Sequence, residues 1–197
     1  LIITKQDLEH KIKEFVKNGG IAVMTYRSAV KNEDNNIPFG RTIPVGYTDI
    51  AGLNVVETES LQDYEAFQIN GQGKYNGYMG YGGIFRDMIS VSDAEILFKY
   101  GDKFYQEYAA VTRKKTGEGW FYYIGCGIDD DITKMLMCDI IEISGINYVN
   151  SEDGVEIAVR GDNEHQVKMY INHNDVCVDT EGITLQPFEC RIVDNVK

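Results

Sequence analysis

The sequence predicts a doubly wound α/β domain over residues 1–146, followed by a small antiparallel β unit over residues 147–197. Three observations predict it. A helical pattern runs into Gly19-Gly20 and then into the unbroken apolar run Ile21-Ala22-Val23-Met24, the helix, stop and buried strand of an α/β unit. Trp120-Phe121-Tyr122-Tyr123-Ile124 is aromatic and apolar without alternation, which suits a strand buried on both faces. Asp129-Asp130-Asp131 then opens a helix whose stripe is Ile132, Met135, Leu136, Ile140 and Ile143.

Taken in order, the chain begins with Thr4 as an N-cap and Asp7 three residues on, a short capping box. Leu8, Ile12, Phe15 and Val16 form the stripe of a helix ending at Asn18. Residues 21–24 follow as a central strand. Residues 27–40 are a polar loop at that strand's end, where open α/β sheets place ligands. Residues 44–52 suit a short helix, and residues 54–58 alternate as a strand leading to Leu61. Residues 70–83 are rich in glycine and tyrosine and read as a connection or subunit contact. They match neither G-x-G-x-x-G nor the Walker spacing. Residues 84–90 and 94–100 resume strand patterns before a hairpin centred on the turn 114–119. After Gly145, short alternating runs at 155–159, 167–171, 176–178, 183–185 and 190–193 predict the β unit. Turns at Gly161-Asp162-Asn163 and residues 179–182 separate them. A unit of about 50 residues has a marginal core and leans on a neighbour.

Composition narrows the function. A formal charge of −12 argues against a nucleic-acid partner and against an anionic membrane surface. No apolar run approaches the roughly 20 residues that span a bilayer. The opening Leu1-Ile2-Ile3-Thr4 is no signal peptide, and a first residue other than Met predicts a piece of a longer protein. Cys126, Cys138, Cys177 and Cys190 form no C-x-x-C pair, which argues against a zinc ribbon or a dithiol redox motif. They read as reduced thiols of an intracellular protein, with Cys138 buried in its helix and Cys177 and Cys190 on strands that could be neighbours.

Few residues suggest chemistry. Gly125-Cys126-Gly127, between a strand and a helix, has the form of a nucleophile elbow, but Cys126 would need a histidine base. His10 lies on the first helix opposite its stripe, and His165 and His173 lie in the β unit. The triple aspartate at 129–131 could hold a divalent cation, yet helix capping and the macrodipole already account for it. Asn172-His173-Asn174-Asp175 reads as a turn. Tyr75, Tyr78 and Tyr81 could stack on sugar rings.

Several stretches together resemble the middle domain of glycoside hydrolase family 42 β-galactosidases. They are residues 15–28 with 30–35, residues 50–57, and residues 110–113 with 117–125. Tyr170-Ile171-Asn172-His173 and residues 183–188 resemble that family's C-terminal β domain. Pro44-Val45-Gly46, where a Pro-Gly turn is usual, and the segment 62–83 depart from the pattern. The resemblance implies a flavodoxin-like layer related to class I glutamine amidotransferases but without their catalytic residues. It also implies a role in homotrimer assembly in the cytoplasm. The chemistry falls to an N-terminal (β/α)₈ barrel, absent from this sequence, in which two glutamates perform retaining hydrolysis of β-galactosides. No catalytic, cofactor-binding or metal residue carries over to this chain. The competing readings are an independent amidotransferase-like cysteine hydrolase using Cys126, and a sugar-binding module using the three tyrosines.

Overall fold

The computed structural model describes residues 2–63, 65–161 and 165–196, with the backbone alone at Gln6, Asn195 and Val196. The chain divides into two compact units, residues 1–145 and 146–197.

Helix α1 (Gln6–Lys17) carries Asp7 and Glu9 in its first turn and Lys17 in its last, as its dipole favours. Its N-cap is Lys5, with no side-chain cap, rather than Thr4. Thr4 instead donates its backbone N–H to the Lys31 carbonyl at 3.0 Å. Val16 is fully buried beneath the helix, whereas Phe15, placed in the stripe by its spacing, is 56% exposed. The Phe15 ring lies over Gly20, where any Cβ would collide with it. Gly19, at φ 102°, supplies the left-handed stop.

Strand β1 (Ile21–Thr25) follows, then the short helix α2 (Thr48–Ala51), which ends on left-handed Gly52. Next come β2 (Leu53–Ser60), β3 (Ala66–Gly71), β4 (Met79–Val91), β5 (Glu95–Tyr100), β6 (Ala109–Thr116), β7 (Gly119–Ile124) and β8 (Cys126–Ile128). Helix α3 (Asp130–Ser144) closes the unit. The sheet order is β1-β7-β6-β5-β3-β4-β2, with β8 beside β4 and a further pairing of β6 to β4.

This order overturns the doubly wound α/β expectation, and with it the flavodoxin-like and amidotransferase-like layer. Within this sheet β1 and β7 run parallel, and every other strand pairing is antiparallel. Parallel neighbours need crossovers of a dozen or more residues, usually helical. From β2 to β8 the only helical element among the described residues is the 3₁₀ turn Gly73–Tyr75, which supplies no helical crossover. The unit is predominantly β, with helices at its margins. Strand β1 is also an edge strand rather than a central one, and Val23 is 41% exposed.

The path β4-β3-β5-β6 returns to β4 through Ile89 opposite Ala109, so the sheet curls on itself. Strand β7 has both faces covered. Phe121 and Tyr123 join Val16, Tyr47, Leu53 and Ile89 in one core. Tyr122, Ile124 and Cys126 join Phe67, Leu97, Phe98, Ile132 and Leu136 in the other. Burying each such large side chain contributes about 1.5–3 kcal/mol. The Gly/Tyr stretch is sheet at both ends, residues 70–71 in β3 and 79–83 in β4, joined by a connection over residues 72–78 that holds the 3₁₀ turn. A Cβ on Gly82 would press on the Phe67 ring and on Cys126 Sγ, and one on Gly80 would meet Ile132.

The second unit contains β9 (Val155–Gly161), β10 (His165–Asn172), β11 (Val178–Thr180), β12 (Ile183–Leu185) and β13 (Cys190–Val196). The antiparallel order is β13-β10-β9, with β11 and β12 as a separate hairpin. Val155, Tyr170 and Leu185 form its small core. Of the predicted turn 161–163, Asp162 and Asn163 lie outside the described residues. The turn at 172–175 is held by buried Asn172, whose amide donates to the carbonyls of Val176 and Gln186 at 2.8 and 2.9 Å.

Candidate functional site

Cys126 stands where β7 gives way to β8 and is 1% exposed. Burial, and next the negative charge of Asp87, push its thiol up to about 12. A nucleophilic cysteine needs the opposite, a thiolate stabilised by positive surroundings. The three histidines lie elsewhere. His10 lines a cleft beside α1, while His165 and His173 belong to the second unit, where His173 stands 3.4 Å from Glu156. Gly125-Cys126-Gly127 is thus a packing junction. Cys138, expected to be buried, is exposed, as are Cys177 and Cys190, and all four thiols are free.

Three carboxylates, Asp87, Asp129 and Asp139, are engaged in holding the fold. Asp129 caps α3: one oxygen accepts the Ile132 N–H at 2.8 Å, and the other accepts the Tyr81 N–H at 2.6 Å. It thereby ties the helix start to β4. Among the described residues no three His, Cys, Asp or Glu side chains gather closely enough to hold a metal ion. Buried Asp87 accepts from the Thr58 hydroxyl at 2.7 Å and the Tyr123 hydroxyl at 2.8 Å. Burial raises its pKa, and those hydrogen bonds work against the rise. Its neighbour Arg86 pairs with Glu59 at 2.9 Å, its guanidinium lying 3.8 Å from the Tyr105 ring centre and 4.3 Å from that of Phe67. Sequence reasoning passed over this pair, although two adjacent charges inside the strand pattern 84–90 are the signal that marks it.

Asp139 sits on the inner face of α3 and forms a second network. It accepts from Lys74, from Arg113 Nη1 at 3.0 Å and from the Tyr122 hydroxyl at 3.0 Å. Arg113 also donates from Nε to Glu95 at 2.7 Å and lies 4.8 Å from the Trp120 ring centre. Burial opposes the charged form of Asp139, yet the bonds from Lys74 and Tyr122 and the nearby cations hold its carboxyl below the usual range.

The three tyrosines do not make one sugar platform. Tyr75 and Tyr78 line a groove of about 590 Å³ with Lys74, Met135 and Asp139, but Tyr81 is not among its walls. The Tyr75 ring stacks on Phe98 at 5.3 Å, and the Lys74 ammonium lies 4.9 Å from its centre, so the ring is already engaged within the chain.

The loop after β1 is the most distinctive surface. Asn32 closes a tight turn, its side-chain oxygen accepting from the N–H groups of Asp34 at 3.2 Å and Asn36 at 2.9 Å. Ile37-Pro38-Phe39 then projects into solvent, with Phe39 fully exposed. Beside it a cleft of about 530 Å³ is walled by Thr4, Glu9, His10, Lys31, Pro38 and Arg41, among others. The cleft mixes the carboxylates of Glu9, Glu33 and Asp34 with the cations of Lys13, Lys31 and Arg41, and with exposed Phe39 beside it the surface suits contact.

Comparison with known proteins fits that reading. The sequence family described as the β-galactosidase trimerisation domain matches residues 1–147. The chain belongs to this family. β-Galactosidase LacZ of Heyndrickxia coagulans is 28% identical over 170 residues, covering 84% of this chain and 24% of that protein. β-Galactosidase LacA of Lactobacillus acidophilus is 30% identical over 147 residues, covering 74% of this chain and 21% of that protein. The crystal structure of β-galactosidase from Bacillus circulans sp. alkalophilus superposes with a TM-score of 0.89 at 25% identity, over 98% of this chain and 31% of that one. The trimerisation-domain chain therefore spans about a quarter of the length of its curated relatives. It resembles a non-catalytic part of those enzymes.

Proposed function

We propose that this chain is the assembly portion of a retaining β-galactosidase, and that three copies of the parent enzyme associate through it. Hydrolysis of terminal β-galactosides belongs, on this reading, to a (β/α)₈ barrel elsewhere in the parent. The family match over residues 1–147 carries the reading. The inert Cys126 and the fully engaged Asp87, Asp129 and Asp139 support it, because each is committed to structure. The chain then has no catalytic, cofactor-binding or metal residue of its own. Residues 1–146 are the assembly domain, and residues 147–197 form a supporting β domain. Four free thiols suit a reducing compartment and support a cytoplasmic parent.

Static light scattering on the full-length protein at micromolar concentration tests the reading. Three times the subunit mass is expected, and a monomer would refute it. The 197-residue chain alone is expected to leave a chromogenic galactoside intact. Thiol-sensitive glutamine hydrolysis lost in Cys126→Ala would instead favour the cysteine-hydrolase alternative.

A further inference from the structure

We propose that residues 27–41 form the face by which one subunit seats on the next, with Phe39 as the anchor. The inference rests on the assembly reading above and names its contact surface. The occupant is a second copy of the same protein.

Single exposed apolar residues need no explanation. Here they gather from two segments. Residues 2–4 run beside residues 30–31, since Val30 and Lys31 both donate to the Ile2 carbonyl at 3.0 Å and Thr4 donates to Lys31. Thr4 and Pro38 wall the same cleft. Exposed Ile2 and Ile3 precede Thr4 in the chain, and exposed Ile37 and Phe39 flank Pro38, so both segments that meet at the cleft carry exposed apolar residues. Phe39 is the most exposed large apolar side chain among the described residues. An aromatic anchor on a built loop loses little freedom on docking. The Asn32 turn, and the Val45 N–H donating to Ala29 at 2.9 Å, build this one.

Charge selects the partner. The loop holds three cations, Arg27, Lys31 and Arg41, against two acids, Glu33 and Asp34, in a chain whose formal charge is −12. A loop with a net positive charge on an acidic protein meets its complement on another copy of that protein. In a threefold ring the two faces of each contact differ, so the loop meets a separate acidic surface of its neighbour.

The test uses the full-length protein, with sedimentation velocity across a concentration series and circular dichroism to check folding. Phe39→Asp is expected to raise the dissociation constant of the trimer at least tenfold. Phe39→Ser is expected to weaken the trimer less. Phe104→Asp alters another exposed phenylalanine of the same unit and is expected to leave assembly unchanged. A Phe39→Asp trimer as tight as wild type overturns this proposal and leaves the assembly reading standing. Equal weakening by Phe39→Asp and Phe104→Asp also overturns it. An intact trimer with new protease cleavage between this domain and the rest of its own chain would make the occupant intramolecular, and the proposal would fall. A monomeric wild type removes the assembly reading itself.

Discussion

Replacing Asp139 by Leu should cost the first unit about 2–3 kcal/mol. The carboxylate accepts from Lys74, Arg113 and Tyr122. Breaking a fully buried ion pair from one side costs about 3–5 kcal/mol. Two features reduce that here. Lys74 is 36% exposed and can turn to water, and Arg113 keeps its bond to Glu95. The remaining loss is the desolvated Arg113 fork and the stranded Tyr122 hydroxyl, each worth about 1–3 kcal/mol when unpartnered. Urea unfolding followed by tryptophan fluorescence is the assay, because the chain's one tryptophan, Trp120, lies beneath Arg113. The pH dependence provides a second reading. The folded carboxyl titrates below its unfolded value of about 3.9. Its stabilisation is therefore complete above that value and fades as pH falls through the lower folded value. Wild type should lose its advantage over Asp139→Leu in that acid window. Adding Arg113→Leu to Asp139→Leu should recover part of the loss, since apolar replacement of both partners removes the desolvated guanidinium donor left without its acceptor. A single-variant loss below about 0.5 kcal/mol, beneath even one unpartnered group, or an advantage that persists in acid, would refute the reasoning.

Gly82→Ala should destabilise the same unit by about 1–3 kcal/mol, the usual cost of overpacking, read in the same urea titration. Asp129→Ala should lose a helix cap worth about 1 kcal/mol together with the bond from the Tyr81 N–H, and the melting temperature should fall accordingly. In native protein at pH 8, three thiols should react quickly with a chromogenic disulfide and Cys126 only on unfolding; four fast thiols would contradict its burial. In hydrogen exchange, β7 should be among the slowest segments and the edge strand β1 measurably faster; the reverse order would contradict the sheet order.

Local features were legible where one residue type has one use. Residues 120–124 carry no polar alternation, and the strand they form is covered on both faces. Asp129 before an apolar stripe is a cap, and the alternating runs at 155–159, 167–171, 183–185 and 190–193 lie in strands. The run 176–178 instead leads into its strand, Val178–Thr180, which takes in part of the predicted turn 179–182. Topology was misread because helix, Gly-Gly and strand at residues 6–25 is a real αβ junction whose strand pairs with one parallel partner only. The contrary signal was present: residues 53–128 have no helical period to supply crossovers. Glycine misled for a different reason. Gly80 and Gly82 read as loop freedom, whereas they are there because Ile132, Phe67 and Cys126 press against them from distant positions. Asp139 was visible as a carboxylate within the α3 stripe, but its partners Lys74 and Arg113 come from other elements. The exposure of Phe39 was not legible, because a phenylalanine in a polar loop carries no local sign of which way it faces.

The pairing of β1 with β7 has a consequence during synthesis. Ile21 meets Trp120 in that register, so about a hundred residues separate the first strand from its partner. At about 5–20 residues per second, translation leaves residues 21–25 and the apolar stripe of α1 without their sheet for about 5–20 s. Helix α1 can form in that interval, but what it packs on does not yet exist. The nascent segment therefore presents a helix-and-strand hydrophobic surface to the folding machinery at the ribosome. It becomes a buried edge only when β7 leaves the ribosome.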